Sequence, residues 1–133
     1  RHFFLPGAEE LLCALHGRYT LCLASNGTGW VQEGRLKSSG ILPLLDRVFI
    51  SEYLGANKPQ LGFFDACFAS LPGVKRSESL MLGDSLTSDM LGGKIAGMHT
   101  CWYNPNRLPL PTDGTVEYQI HRLPDLLPLL EKL

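Results

Sequence analysis

The chain has 133 residues, 44% of them hydrophobic and 19% charged, with a formal net charge of −1. That length and balance suit a folded domain with a real core and exclude a disordered chain. The near-neutral charge gives no electrostatic case for nucleic acid or an anionic membrane surface as a partner, and the apolar runs are far too short to span a bilayer.

Taken in order, Pro6-Gly7-Ala8-Glu9-Glu10 opens a helix, with proline suited to its first turn and the glutamates to the positive end of its dipole. Ala8, Leu11, Leu12 and Leu15 form its apolar stripe, and Gly17 ends it. Tyr19–Ala24 is predicted to be a buried strand, broken by the turn Ser25-Asn26-Gly27-Thr28-Gly29. A polar helix is predicted from Trp30 to Ser38. Arg47–Ser51 is a second strand, followed by a loop that contains Lys58-Pro59.

Gln60–Leu71 has Phe64, Cys67, Phe68 and Leu71 at helical spacing, and Pro72-Gly73 ends it. Ser79–Gly83 is a third strand, and the helix after it runs to Ala96, capped by Gly97. Met98–Tyr103 is a fourth strand, Asn104–Gly114 a loop, and Val116–Ile120 a short fifth strand. A last helix holds Leu126, Leu127, Leu129 and Leu130. Strands alternating with helices predict an α/β fold, with a parallel sheet flanked by helices. No repeat or linker interrupts the pattern, so one domain is expected.

Cys13, Cys22, Cys67 and Cys101 form no Cys-x-x-Cys pair, and each sits in an apolar segment. They are expected to be buried, reduced thiols, which with the lack of a secretory signal points to a cytoplasmic protein. The first residue is Arg1, and a helix follows almost at once, so the chain is expected to be the remainder of a longer protein.

Polar residues recur at three successive strand ends: Ser25 and Asn26 after the first, Lys58 after the second, and Asp84 and Asp89 after the third. In a parallel sheet these ends share one edge, where ligands bind. Two carboxylates with little positive charge nearby suit a hard cation such as Mg2+. A hydroxyl, backbone N–H groups and an ammonium suit a phosphate. Taken singly, each has a plainer reading: a turn, a solvated lysine, a helix cap, a partner for the helix dipole. Asp84 as the phosphoacceptor of a response-regulator-like domain is a poor alternative, because it leaves Ser25 and Lys58 unexplained. Tyr103, Asn104 and Arg107 lie at a further strand end that could line an entrance. His99, alone on a strand, is assigned no role.

Together these residues resemble the haloacid dehalogenase-like (HAD) hydrolase superfamily. Ser25-Asn26-Gly27 looks like its second motif, Lys58-Pro59 its third, and Gly83-Asp84-Ser85-Leu86-Thr87-Ser88-Asp89 its fourth, trailed by Gly92-Gly93-Lys94-Ile95-Ala96-Gly97. Ile50-Ser51-Glu52 and Thr100-Cys101-Trp102-Tyr103-Asn104-Pro105 are similar to the pyrimidine nucleotidase branch, and a second resemblance is to N-acylneuraminate-9-phosphatases. The resemblance implies a Rossmann-like sheet and hydrolysis of small phosphomonoesters such as nucleoside monophosphates. It also implies that Ser25 and the N–H of Asn26 bind the phosphoryl group. Lys58 would offset charge on that group and on the nucleophile. Asp84 would ligate Mg2+ as a catalytic residue, and Asp89 would hold a metal-bound water or orient Lys58.

One part is missing. The family's first motif is Asp-x-Asp, whose first aspartate forms an aspartyl-phosphate and whose second is the general acid and base. The aspartates here are Asp46, Asp65, Asp84, Asp89, Asp113 and Asp125, and no two are two apart. The motif's strand, central in the family's sheet, and the cap domain would both precede Arg1. Residues 1–133 are thus expected to be the C-terminal portion of a HAD-like core without its first, central strand. The missing segment would come from the same or another chain. The alternative expectation is a truncated, catalytically inactive binding or regulatory domain.

Overall fold

Short, mostly apolar runs of three to five residues become the strands of two parallel sheets. The computed structural model describes residues 8–26 and 40–132. It divides into two compact units: Arg1–Leu54 with Arg122–Leu133, and Gly55–His121.

In the first unit, α1 (Ala8–Leu15) is followed by β1 (Cys22–Ser25). β2 (Arg47–Ile50) runs straight into a single turn, α2 (Ser51–Leu54), and α5 (Leu126–Glu131) closes the unit. β1 and β2 pair in parallel, from Cys22 with Arg47 to Ser25 with Ile50. Asp46 joins the entrances of the two strands. Its N–H donates to the Leu21 carbonyl, and its carboxylate accepts from the Leu21 N–H, both at 2.7 Å. Leu11 and Leu15 are the buried positions of α1, as its stripe predicts. Phe49, Ile50, Ile41, Leu123 and Leu126 are the unit's other buried apolar side chains among the described residues.

The second unit holds α3 (Leu61–Ala69), β3 (Leu80–Gly83), α4 (Leu91–Ile95), β4 (His99–Tyr103) and β5 (Tyr118–Ile120). Its sheet is parallel in the order β3-β4-β5, with Leu80 beside His99 and Cys101 beside Tyr118. Among the described residues no ladder joins this sheet to β1 and β2. Phe63 and Phe64 are both buried, with their rings edge to face at 5.3 Å. A buried aromatic side chain contributes about 1.5–3 kcal/mol. Phe68, at the same helical spacing, is half-buried, and the Arg76 guanidinium lies over its ring at 4.9 Å. Thr100 is buried on β4. Its hydroxyl donates to the Thr115 carbonyl at 2.6 Å and accepts from the Glu117 N–H at 3.0 Å, which ties the approach of β5 to β4.

The first strand is shorter than predicted. It starts at Cys22, since Tyr19 makes an isolated bridge with His16 and Leu21 is taken by Asp46. Cys67 and Cys101 are buried as expected, but Cys13 and Cys22 are exposed. Cys13 falls off the Leu11–Leu15 stripe, and an apolar neighbourhood in sequence does not settle which face of an element is covered. The predicted helix Trp30–Ser38, and Gly27 of the Ser25-Asn26-Gly27 turn, lie outside the described residues. No described helix is long and apolar enough to cross a membrane.

Candidate functional site

β3 ends at Gly83, and the chain then makes one π-helical turn, Leu86–Met90, before α4. The Asp89 and Met90 N–H groups both reach the Ser85 carbonyl, at 3.0 and 3.1 Å. Wide turns of this kind recur at functional sites. The turn brings Asp89 back over the end of β3, so that a side chain on Gly83 would collide with the Asp89 carboxylate and its β-carbon. Glycine is required at position 83 for that close approach.

Ser85 caps the turn, its Oγ accepting from the Ser88 N–H at 3.1 Å. The cap is therefore Ser85, which leaves Asp84 without that task. Asp89 is buried, and both its oxygens are engaged. Oδ1 accepts from Lys58 Nζ at 2.6 Å, and Oδ2 accepts from the Ser85 N–H at 3.3 Å. The Lys58 and Asp89 side chains are only 9% and 8% exposed, so this is a buried ion pair. Charge-assisted bonds of that length are the strong class, and removing either partner leaves a charge in a poor solvent.

Asp84 differs from Asp89 in each respect. It is exposed, and no hydrogen bond or ion pair holds its carboxylate among the described residues. Its carbonyl accepts from the indole N–H of Trp102 on β4, at 3.1 Å. The second unit therefore presents an open carboxylate at the strand end, while the other aspartate of that motif is braced against Lys58 from the loop before α3.

No group of three or more His, Cys, Asp or Glu stands together among the described residues. Such a donor set does not cage a cation. It fits Mg2+, which keeps several waters and uses one or two carboxylates together with phosphate oxygens. Asp84 could bind the ion directly, whereas Asp89 is committed to Lys58 and Ser85.

Ser25 and Asn26 belong to the first unit, at the end of β1. The Ser25 hydroxyl donates to the Asn26 carbonyl at 3.3 Å. The fold thus brings together Lys58 and Asp89, with Asp84 at the head of the same turn, while Ser25 and Asn26 are set by the other unit. Tyr103 and Asn104 are buried rather than lining an entrance. The Asn104 amide is occupied by Leu108 and Gln119, and Arg107 stays exposed. Sequence reasoning missed Ser85 and Trp102. Ser85 carries the N-cap signature, and a tryptophan in a buried strand needs an acceptor for its N–H.

The model of haloacid dehalogenase-like hydrolases matches residues 3–103. The chain belongs to that family. Among its relatives in the HAD family, the pyrimidine 5'-nucleotidase PynA of Streptococcus pneumoniae is 42% identical over 129 residues, which are 96% of this chain and 54% of PynA. The N-acylneuraminate-9-phosphatase of Homo sapiens is 28% identical over 127 residues, 94% of this chain and 51% of that protein. The crystal structure of YfnB from Bacillus subtilis, bound to magnesium, matches with a TM-score of 0.91 at 35% identity, over 95% of this chain and 55% of YfnB. The HAD chain described here therefore has the Rossmann-like α/β fold of its family, and it spans about half the length of the curated relatives it matches.

Proposed function

We propose that this chain is the C-terminal portion of the core of a Mg2+-dependent HAD phosphatase that hydrolyses small phosphomonoesters such as nucleoside monophosphates. The observation that carries the reading is the buried ion pair that Lys58 makes with Asp89, in the turn just after Asp84. The family's nucleotidases and phosphatases support the reaction class, and the magnesium in YfnB supports the cation.

Phosphoryl transfer asks for alignment and charge neutralisation more than for covalent chemistry by the surroundings. Lys58 is the group that offsets phosphoryl charge, and Asp89 holds its ammonium in place. Asp84 is the carboxylate for Mg2+, which when bound neutralises charge on phosphoryl oxygens. The Ser25 hydroxyl and the Asn26 N–H are the phosphate donors of the first unit. The reacting carboxylate and its acid–base partner lie outside these 133 residues, which contain no Asp-x-Asp.

The test is hydrolysis of p-nitrophenyl phosphate and of nucleoside monophosphates by the full-length protein, with and without Mg2+. Turnover that needs Mg2+ and is nearly abolished in Asp84→Asn is expected. Full activity of Asp84→Asn would refute the metal assignment. The lack of Asp-x-Asp favours a second reading for residues 1–133 taken alone: a domain that binds phosphate and Mg2+ without turning substrate over. Calorimetry with phosphate and Mg2+ on that polypeptide tests this second reading, and no binding there would refute it.

A further inference from the structure

Trp102 is 2% exposed in β4, and an indole N–H can only donate. A buried tryptophan needs an acceptor, and this one takes the carbonyl of Asp84 at 3.1 Å. The ladder between β3 and β4 ends where Gly83 pairs with Trp102. Asp84 is the first residue beyond it, so no strand pairing orients its peptide. The peptide is nonetheless held on both sides. Gly83 is fixed by the ladder, and Ser85 by its N–H to Asp89 and its hydroxyl to the Ser88 N–H. Between these fixed points, the Asp84 carbonyl is held only by Trp102 among the described residues. An aspartate with its carbonyl pinned keeps just two side-chain torsions with which to aim its carboxylate.

We propose that Trp102 is a positioning residue for Asp84, its indole N–H fixing the Asp84 peptide so that the carboxylate leaves the strand end already aimed at a divalent cation. This rests on the reading of Asp84 as a Mg2+ ligand. Trp102 touches neither the cation nor the substrate. It lowers the ordering that Asp84 must undergo when the cation arrives, so its loss reads out as weaker Mg2+ binding rather than as a defect in the reaction at saturating metal.

The experiment measures Mg2+ affinity by calorimetry on the full-length protein, with the Mg2+ dependence of turnover alongside. The variants are Trp102→Phe, Asp84→Asn and Cys101→Ala, compared with wild type. Cys101 neighbours Trp102 on β4, is fully buried, and loses only packing when truncated. Trp102→Phe is expected to weaken Mg2+ binding about tenfold, the low end of what is lost when a ligand's supporting partner is removed. Its kcat at saturating Mg2+ stays close to wild type, and Cys101→Ala keeps wild-type affinity.

Wild-type affinity in Trp102→Phe, or a loss no greater than in Cys101→Ala, overturns the inference while leaving the Asp84 assignment standing. Wild-type affinity in Asp84→Asn overturns the ligand assignment itself, and the inference with it. If Trp102→Phe does not fold, benzothienylalanine at position 102 keeps the ring shape without the N–H, and the same tenfold loss is expected.

Discussion

Replacing Lys58 with methionine keeps most of an unbranched side chain, shorter only by the charged end atom, and removes its charge. Asp89, 8% exposed, is then left with the Ser85 N–H at 3.3 Å as its remaining hydrogen bond. Breaking a buried pair on one side costs about 3–5 kcal/mol, because a charge remains without compensation. For a domain of roughly 150–250 residues that corresponds to a fall in Tm of about 6–20 °C. Thermal and urea unfolding followed by circular dichroism at pH 7 measures it. Asp89→Asn leaves Lys58 buried beside a neutral amide and costs a similar amount. The double variant Lys58→Met with Asp89→Asn recovers much of the loss, since neither side is then charged. The effect changes little between low and high salt, because ions do not screen a pair shielded from water. A loss below about 1 kcal/mol for Lys58→Met, the range of exposed pairs, would refute the reasoning, as would strict additivity of the two changes.

Gly92→Ala puts a β-carbon 2.7 and 2.8 Å from ring carbons of Phe64 and 3.1 Å from the Pro59 α-carbon, so it destabilises by about 1–3 kcal/mol in urea unfolding. Gly62→Ala meets only the Ala56 β-carbon at 3.7 Å and stabilises α3 by up to about 1 kcal/mol; equal effects at the two glycines would contradict the packing. His99 donates from Nδ1 to Glu117 at 2.8 Å and from Nε2 to the Ser77 carbonyl at 3.0 Å. Both partners accept, so they call for the protonated ring, and the bond to Glu117 raises the His99 pKa above its ordinary 6.5. That contribution to stability is complete below 6.5 and is lost as pH rises through the higher folded value. NMR titration should show the His99 pKa falling back in Glu117→Gln, and an unchanged value would contradict the pairing. Burial pushes the Cys101 thiol up to about 12, so a thiol reagent at pH 8 should label exposed Cys13 in the native protein and leave Cys101 untouched until unfolding. Labelling of both at one rate would contradict the burial.

The strands were legible because each is a short apolar run with a glycine or polar break, and burial between covering layers demands that pattern. The apolar runs place β2 to within a residue, and β3 and β4 to their last residue with a start one residue early. The entry to β1 was not, since the Leu21–Asp46 bonds link residues 25 apart, and no local pattern records them. The residues of the fourth motif were equally legible, because a glycine and two aspartates at that spacing are unusual after an apolar strand.

What the sequence determined by itself is the α/β alternation and the set of residues that could handle phosphate and a cation: Ser25, Asn26, Lys58, Asp84 and Asp89. Local propensity and periodicity are properties of neighbouring residues, so they survive without a fold. Only the tertiary structure decided how the two aspartates differ in burial and in partners. A π-helical turn over Gly83 buries Asp89 against Lys58, and Trp102, from another strand, holds the peptide of an Asp84 left open. Burial and long-range pairing separate two chemically identical carboxylates, and neither exists until the chain is packed.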